Sequence, residues 1–251
     1  NIGFLGSGHI TSSIIEGISK SKLNIKKIYI SPRNKLISKK ISKRFKKVTI
    51  ANNNQQVIDR SNWVFLAVTP QVGSKILDKL KFSKNKKIIS LISTINLEKL
   101  KKYTKSKNIF RVIPLPFIGM RKGPIIICPK DNQLKNFFRH LGKVIELKNE
   151  KTSKAFWSTS SFMASFYFLL DQTSNWLTSK GIKKKDAEDY TRELFLALSE
   201  DAINKNKSSL KQLVLESQTP GGTNAYVLNQ LKKKKFYKVQ QTVLNSIFKK
   251  F

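Results

Sequence analysis

The stretch Asn1-Ile2-Gly3-Phe4-Leu5-Gly6-Ser7-Gly8-His9-Ile10-Thr11-Ser12-Ser13-Ile14-Ile15-Glu16-Gly17-Ile18 decides how the rest of the chain is read. Ile2, Phe4 and Leu5 form a short apolar run that predicts a buried strand. Gly6 permits a tight turn, and Gly8 lets a backbone come close to a bulky anion. Ile10, Ile14, Ile15 and Ile18 then recur at helical spacing with polar residues between them. A helix that begins directly after such a turn offers unpaired N–H groups and the positive end of its dipole to a phosphate. Strand, Gly-x-Gly turn and amphipathic helix together predict a dinucleotide-binding unit, with Gly6, Ser7, Gly8, His9 and Ile10 in the phosphate turn. A Gly-x-Gly alone would read equally well as an ordinary turn; its place between strand and helix raises it above that. Thr11 stands where the third small residue of the fingerprint is expected.

Working outward, residues 26–30 predict a second strand that ends in Ser31-Pro32-Arg33-Asn34. In such a unit an acidic residue at this strand end would bond the ribose hydroxyls of NAD. None is present. The Ser31 hydroxyl and Arg33 guanidinium suit the 2′-phosphate of NADP through charge-assisted hydrogen bonds, so NADPH is preferred over NADH. The plainer alternative leaves Arg33 as an exposed side chain. The alternation continues with a helix at 36–45, a strand at 48–50, then Asn54 and the continuous apolar run 63–68 ending in Thr69-Pro70-Gln71. Such a run fits a parallel strand buried on both faces, with a ligand-facing loop at its carboxyl end. A helix at 72–80, a strand at 87–92, a helix at 97–103 and a strand at 109–113 follow. Pro114-Leu115-Pro116 interrupts before a strand at 124–128, a helix at 132–141 and a strand at 143–147. The expected fold class is α/β, with a doubly wound parallel sheet over residues 1–150.

Beyond residue 150 no strand pattern is left, and 151–251 reads as an all-α domain. One long apolar helix is expected at 156–180, with further helices at 185–204, 208–217, around 226–231 and at 239–248. Thr219-Pro220-Gly221-Gly222-Thr223-Asn224 interrupts them. A helical domain of this size has few layers of its own, so its apolar face is expected to be covered by a second copy of the chain.

Composition narrows the class. The chain has 251 residues, 39% hydrophobic and 25% charged, which is ordinary for a globular protein. Cys128 is the single cysteine, so no intrachain disulfide forms and a cytoplasmic location is expected. His9 and His140 are far apart, and no metal site is predicted. The longest apolar stretch, residues 162–170, is too short to cross a bilayer, and no targeting segment is read ahead of the first strand. The net charge of +34 arises from 42 lysines and only seven arginines, scattered through every segment. That pattern reads as solvated surface and compositional drift rather than as a nucleic-acid-binding patch, though it attracts anions, NADP phosphates included.

Three motifs in this order resemble the pyrroline-5-carboxylate reductase family: Ile2-Gly3-Phe4-Leu5-Gly6-Ser7-Gly8-His9-Ile10; Val64-Phe65-Leu66-Ala67-Val68-Thr69-Pro70-Gln71, preceded by Asn54; and Thr219-Pro220-Gly221-Gly222-Thr223. Arg111-Val112-Ile113-Pro114 fits as well. The resemblance implies a Rossmann domain, an α-helical dimerisation domain and NADPH-dependent reduction of a cyclic imine, 1-pyrroline-5-carboxylate, to L-proline. It also implies cofactor contacts from Asn54, Ala67, Val68, Thr69 and Pro70. Departures cluster on the substrate side. The family usually has Asn at His9, Lys at Thr69, Asn-Thr-Pro at Leu115-Pro116-Phe117, and a second Thr at Asn224. A glycine- and proline-containing stretch is replaced by Thr159-Ser160-Ser161-Phe162-Met163-Ala164-Ser165.

Hydride transfer to an already electrophilic iminium carbon needs orientation and exclusion of water more than a strong acid, so no catalytic side chain is singled out. The substrate carboxylate needs an anchor. Gly221, Gly222, Thr223 and Asn224, with backbone N–H groups at a helix start, are the expected site; a plain interhelical turn is the alternative. Two other functions remain open. A related dehydrogenase acting on a β-hydroxyacid would want a lysine on the long helix, and residues 156–179 contain none. A non-catalytic nucleotide- or nucleic-acid-binding protein would use the charge.

Overall fold

The computed structural model describes residues 1–250, which form two compact units, Asn1–Trp157 and Ser158–Lys250. The first unit holds strands β1 (Ile2–Leu5), β2 (Ile28–Ile30), β3 (Val48–Ile50), β4 (Trp63–Leu66), β5 (Lys87–Ser90), β6 (Ile109–Ile113), β7 (Pro124–Cys128) and β8 (Lys143–Glu146). Between them lie helices α1 (His9–Ser19), α2 (Lys35–Arg44), α3 (Asn54–Asp59), α4 (Pro70–Ile76), α5 (Leu97–Thr104) and α6 (Asn132–Phe138). The strands make one eight-stranded sheet in the order β3-β2-β1-β4-β5-β6-β7-β8. The order reverses between β1 and β4, which opens a crevice at their carboxyl ends.

β1 and β4 carry no polar side chain along their length because both faces are covered. Phe4 and Phe65 stack at 4.5 Å on one face, with Ile14, Ile15, Phe137 and Phe138 around them. Leu5, Val64, Leu66, Ile88 and Leu100 fill the other. Each such side chain contributes about 1.5–3 kcal/mol on burial.

Six strands, β1 to β6, are parallel as the alternation predicts. β7 runs antiparallel to β6, and β8 is parallel to β7. The reversal follows from the link: residues 114–123 are too few for a crossover helix, and carry two prolines and a short 3₁₀ turn, Pro116–Met120. That turn lies hard against α1; a Cβ on Gly17 would sit 2.3 Å from the Ile118 carbonyl oxygen.

The helical part has α7 (Ser153–Ser160), α8 (Met163–Ser179), α9 (Lys184–Asn204), α10 (Leu210–Glu216), α11 (Thr223–Lys233) and α12 (Phe236–Phe248). The expected single helix over 156–180 is therefore two. It breaks at Ser161-Phe162, whose N–H groups donate to the carbonyls three residues back, Ser158 and Thr159. Ser158-Thr159-Ser160-Ser161 precede this point, and hydroxyl side chains are poor formers of a helix interior because they offer backbone groups an alternative partner. Among the described residues no helix is long and apolar enough to cross a membrane.

Candidate dinucleotide and anion sites

The turn after β1 is fixed by close backbone approach. Gly6 has φ +115°, a conformation that favours glycine, and a Cβ there would meet the Ala67 carbonyl oxygen at 2.3 Å. Only glycine lets the loops after β1 and β4 pass at this distance. Gly8, by contrast, has nothing within 4 Å of where its Cβ would be. It is the N-cap of α1, no side chain caps that helix end, and its first turn holds no acid. The open face of Gly8 and the uncapped N–H groups fit a pyrophosphate. Thr11, the departure from the glycine fingerprint, is fully buried and its Oγ1 donates to the Gly6 carbonyl at 3.0 Å, so its hydroxyl braces the turn.

At the end of β2, buried Ser31 ties three elements together. Its Oγ accepts from the Gly6 N–H at 3.0 Å and lies 2.7 Å from Asn54 Oδ1 on α3, to which it donates. An open cleft of ≈ 460 Å³ lies here, lined by Gly6, Ser31, Arg33, Asn54 and Val68, together with Val72, Lys75 and Ile76 of α4. The structure thus gathers five of the sequence-predicted cofactor residues around one cavity. Ser7 and Gly8 stand between β1 and α1, which His9 and Ile10 open, while Ala67 and Thr69 lead from β4 into α4, which Pro70 opens; all lie outside the lining. Exposed His9 is the first residue of α1, and Thr69 is the N-cap of α4 without a side-chain cap bond. Val72, Lys75 and Ile76 were not expected. Their spacing of three and four on a helix that leaves a ligand-facing loop is the signal that would have found them.

Arg111, from the fourth matching motif, is buried rather than presented to a ligand. Its guanidinium donates to the carbonyls of Ile92 and Ile95, and its Nε bonds Glu150 Oε1 at 2.8 Å. Glu150 also accepts from the Leu97 N–H at the start of α5. The pair holds residues 92–97 at the carboxyl edge of the sheet. Cys128, opposite Arg111 in the β6–β7 register, is buried, and desolvation pushes its thiol up to about 11, with the Glu150 charge adding to the effect. It is no nucleophile at neutral pH.

In the helical unit, Gly221 has φ +71° and open space where a Cβ would stand. Gly222 is the N-cap of α11, with no side-chain cap and no acid in the first turn. The Gly222 N–H is already taken by the Thr219 carbonyl at 2.8 Å, and Asn224 Nδ2 donates to the Ser217 carbonyl at 3.0 Å. The donors left to an anion are therefore the backbone N–H groups of the first helical turn, beginning at Thr223, and the Thr223 hydroxyl. This is a narrower set than the sequence suggested.

Residues 1–96 match the family model "NADP oxidoreductase coenzyme F420-dependent", and residues 150–251 match "Pyrroline-5-carboxylate reductase dimerisation". Pyrroline-5-carboxylate reductase of Pisum sativum is 22% identical, covering 98% of this chain and 92% of its own length. Among solved structures, 1-pyrroline-5-carboxylate reductase of Streptococcus pyogenes has a TM-score of 0.85 at 20% identity, covering 99% of this chain and 96% of that one. Pyrroline carboxylate reductase of Plasmodium falciparum, solved with NADP bound, has a TM-score of 0.84 at 20% identity, covering 100% and 96%. A dinucleotide turn and cleft in the sheet unit thus accompany a helical unit that matches the pyrroline-5-carboxylate reductase dimerisation domain, in a chain similar to pyrroline-5-carboxylate reductases along nearly its whole length.

Proposed function

We propose that this protein reduces 1-pyrroline-5-carboxylate to L-proline with NADPH as hydride donor. The observation that carries the reading is the cleft built by Gly6, Ser31, Arg33, Asn54 and Val68 at the switch point of the sheet, in a chain whose other half is a reductase dimerisation domain. When bound, the reduced nicotinamide supplies the hydride to the imine carbon. The chain's residues bind and orient. The Gly8 face and the first turn of α1 take the pyrophosphate, and Arg33 takes the 2′-phosphate, while the Ser31 hydroxyl, spent on Gly6 and Asn54, braces the turn beneath it. The start of α11, with Gly221, Gly222, Thr223 and Asn224 shaping the turn, takes the substrate carboxylate.

Residues 1–150 serve as the cofactor domain and 151–251 as the dimerisation and substrate domain, with a homodimer as the working form. Exposed Phe166, Phe168, Leu194, Leu198, Val239 and Val243 support the pairing, since a monomer would leave this apolar surface in water. A single cysteine suits a reducing cytoplasm.

Purified protein mixed with NADPH and 1-pyrroline-5-carboxylate should consume the reduced nicotinamide, and no consumption at high enzyme concentration would reject this substrate. Arg33→Glu should raise the Michaelis constant for NADPH about tenfold or more while leaving that for NADH nearly unchanged. Equal effects on both would remove the 2′-phosphate role of Arg33.

A further inference from the structure

Among the residues that line the cleft, Lys75 is the one whose chemistry the Gly-x-Gly pattern does not explain. It lies on α4 with Val72 and Ile76, three positions before it and one after, so the three occupy one side of the helix. Val72 and Ile76 are half-buried and, with Val68, give the cleft an apolar wall. Arg33 reaches the same cleft from the end of β2. β2 and β4 flank β1 on opposite sides, so the two cations converge over the Gly6 turn from the two sides of β1.

Neither Arg33 nor Lys75 forms an ion pair with any described residue. Two like charges that share one cleft without an acid between them repel, and the arrangement is relieved by an anion. A lysine in the last turn of a helix meets the negative end of the dipole, which accounts for a lysine near this point of the sequence. It does not account for Lys75 lining the same cavity as an unpaired guanidinium, a buried hydroxyl and an apolar wall.

We propose that Lys75 is a second ligand of the cofactor's 2′-phosphate, clamping it with Arg33 while the wall of Val68, Val72 and Ile76 takes the adenine ring. This rests on the NADPH reading above and names a residue that sets its specificity. An adenosine with a 2′-phosphate fits such a cleft better than one without, because the added dianion meets both cations and the ring needs only the apolar side.

The test uses the full chain and two probes that lack nicotinamide, 2′,5′-ADP and 5′-AMP, titrated by calorimetry. Wild type should prefer 2′,5′-ADP. Lys75→Met should weaken 2′,5′-ADP by about tenfold, as expected for one charge-assisted contact at an exposed site, and leave 5′-AMP unchanged. Lys75→Arg should restore most of the loss. If Lys75→Met leaves 2′,5′-ADP binding intact, or weakens both probes equally, the role of Lys75 is overturned. Arg33→Met separates the two readings: if it alone abolishes the discrimination, the NADPH site stands and only Lys75 fails. A wild type that binds both probes equally overturns both.

Discussion

Phe4, Leu5, Phe65, Leu66 and Ile88 in the sheet unit are fully shielded from water by their own chain. In the helical unit the buried residues are Ser158, Ser174, Ala187 and Thr191, while Phe166, Phe168, Trp176, Leu194, Leu198 and Ile203 are exposed. The large apolar side chains are present in both; in one unit they face inward and in the other outward. A sheet with helices on both faces closes its own core, whereas two or three helices in a row leave each with an uncovered side. The difference assigns different work to the two halves. The first holds the Gly6 turn with its own side chains, through the Ser31 and Thr11 hydroxyls. The second matches a dimerisation domain, and its exposed side chains are the surface that the proposed homodimer would cover.

The strongest way to break this contrast is to charge the exposed side of α9, where Tyr190, Leu194 and Leu198 recur every four residues. Leu194→Glu with Leu198→Glu changes four side chains in a two-fold dimer. At about 1.5 kcal/mol each, the dimer should weaken by roughly 10⁴-fold, read by sedimentation equilibrium. Turnover should vanish while binding of NADPH persists. A dimer of unchanged affinity would place the interface elsewhere.

Next in size is the hub inside the sheet unit. Arg111→Met leaves the Ile92 and Ile95 carbonyls without their donor and Glu150 without its countercharge, and should lower unfolding stability by about 3–5 kcal/mol in a denaturant titration. A loss below about 1 kcal/mol would show that the loop at 92–97 is held by other contacts. Gly6→Ala should cost about 1–3 kcal/mol from the positive φ, with a further penalty from the contact at Ala67. NADPH affinity should fall with it, while association of the helical unit should not change. If dimer affinity fell in parallel, the two halves would not be the separate devices described.

The smallest effect concerns Glu16, whose carboxyl is held below its ordinary value by its hydrogen bond from Lys20 and by the Arg44 charge on α2. A depressed carboxylate stabilises the fold above its ordinary pKa, and that contribution is lost as pH falls through the lowered value. Glu16→Gln should therefore remove a small part of the acid-side fall in melting temperature and nothing at neutral pH beyond the lost ion pairs. An unchanged acid branch would show that the pairs with Lys20 and Arg44 are too well solvated to matter.

Much of the sheet unit was legible because its signals are local. Apolar runs at 63–66 and 109–113 are bounded by turns, and Gly6 to Ile10 is a contiguous turn-helix pattern. The reversed direction of β7 was not legible by alternation, since an antiparallel strand looks the same as a parallel one when both faces are buried; only the ten-residue link hinted at it. The break at Ser161-Phe162 was masked because Phe162 and Met163 continue the apolar content across it. Lys75 was hidden among 42 lysines, and only the cavity separates it from the rest. In the helical unit, the apolar helical pattern was legible, and its large side chains do stand exposed in the single chain. The details at Gly222 and Asn224, whose donors are spent within the turn, depend on coordinates that sequence does not carry.

The reaction proposed for this chain moves a hydride from NADPH to a cyclic imine. Incubation with NADPH deuterated at the transferring position of C4 and with 1-pyrroline-5-carboxylate tests it most directly. Mass spectrometry should find L-proline carrying one deuterium at C5. Cofactor that binds tightly, with no labelled proline formed, would rule that reaction out.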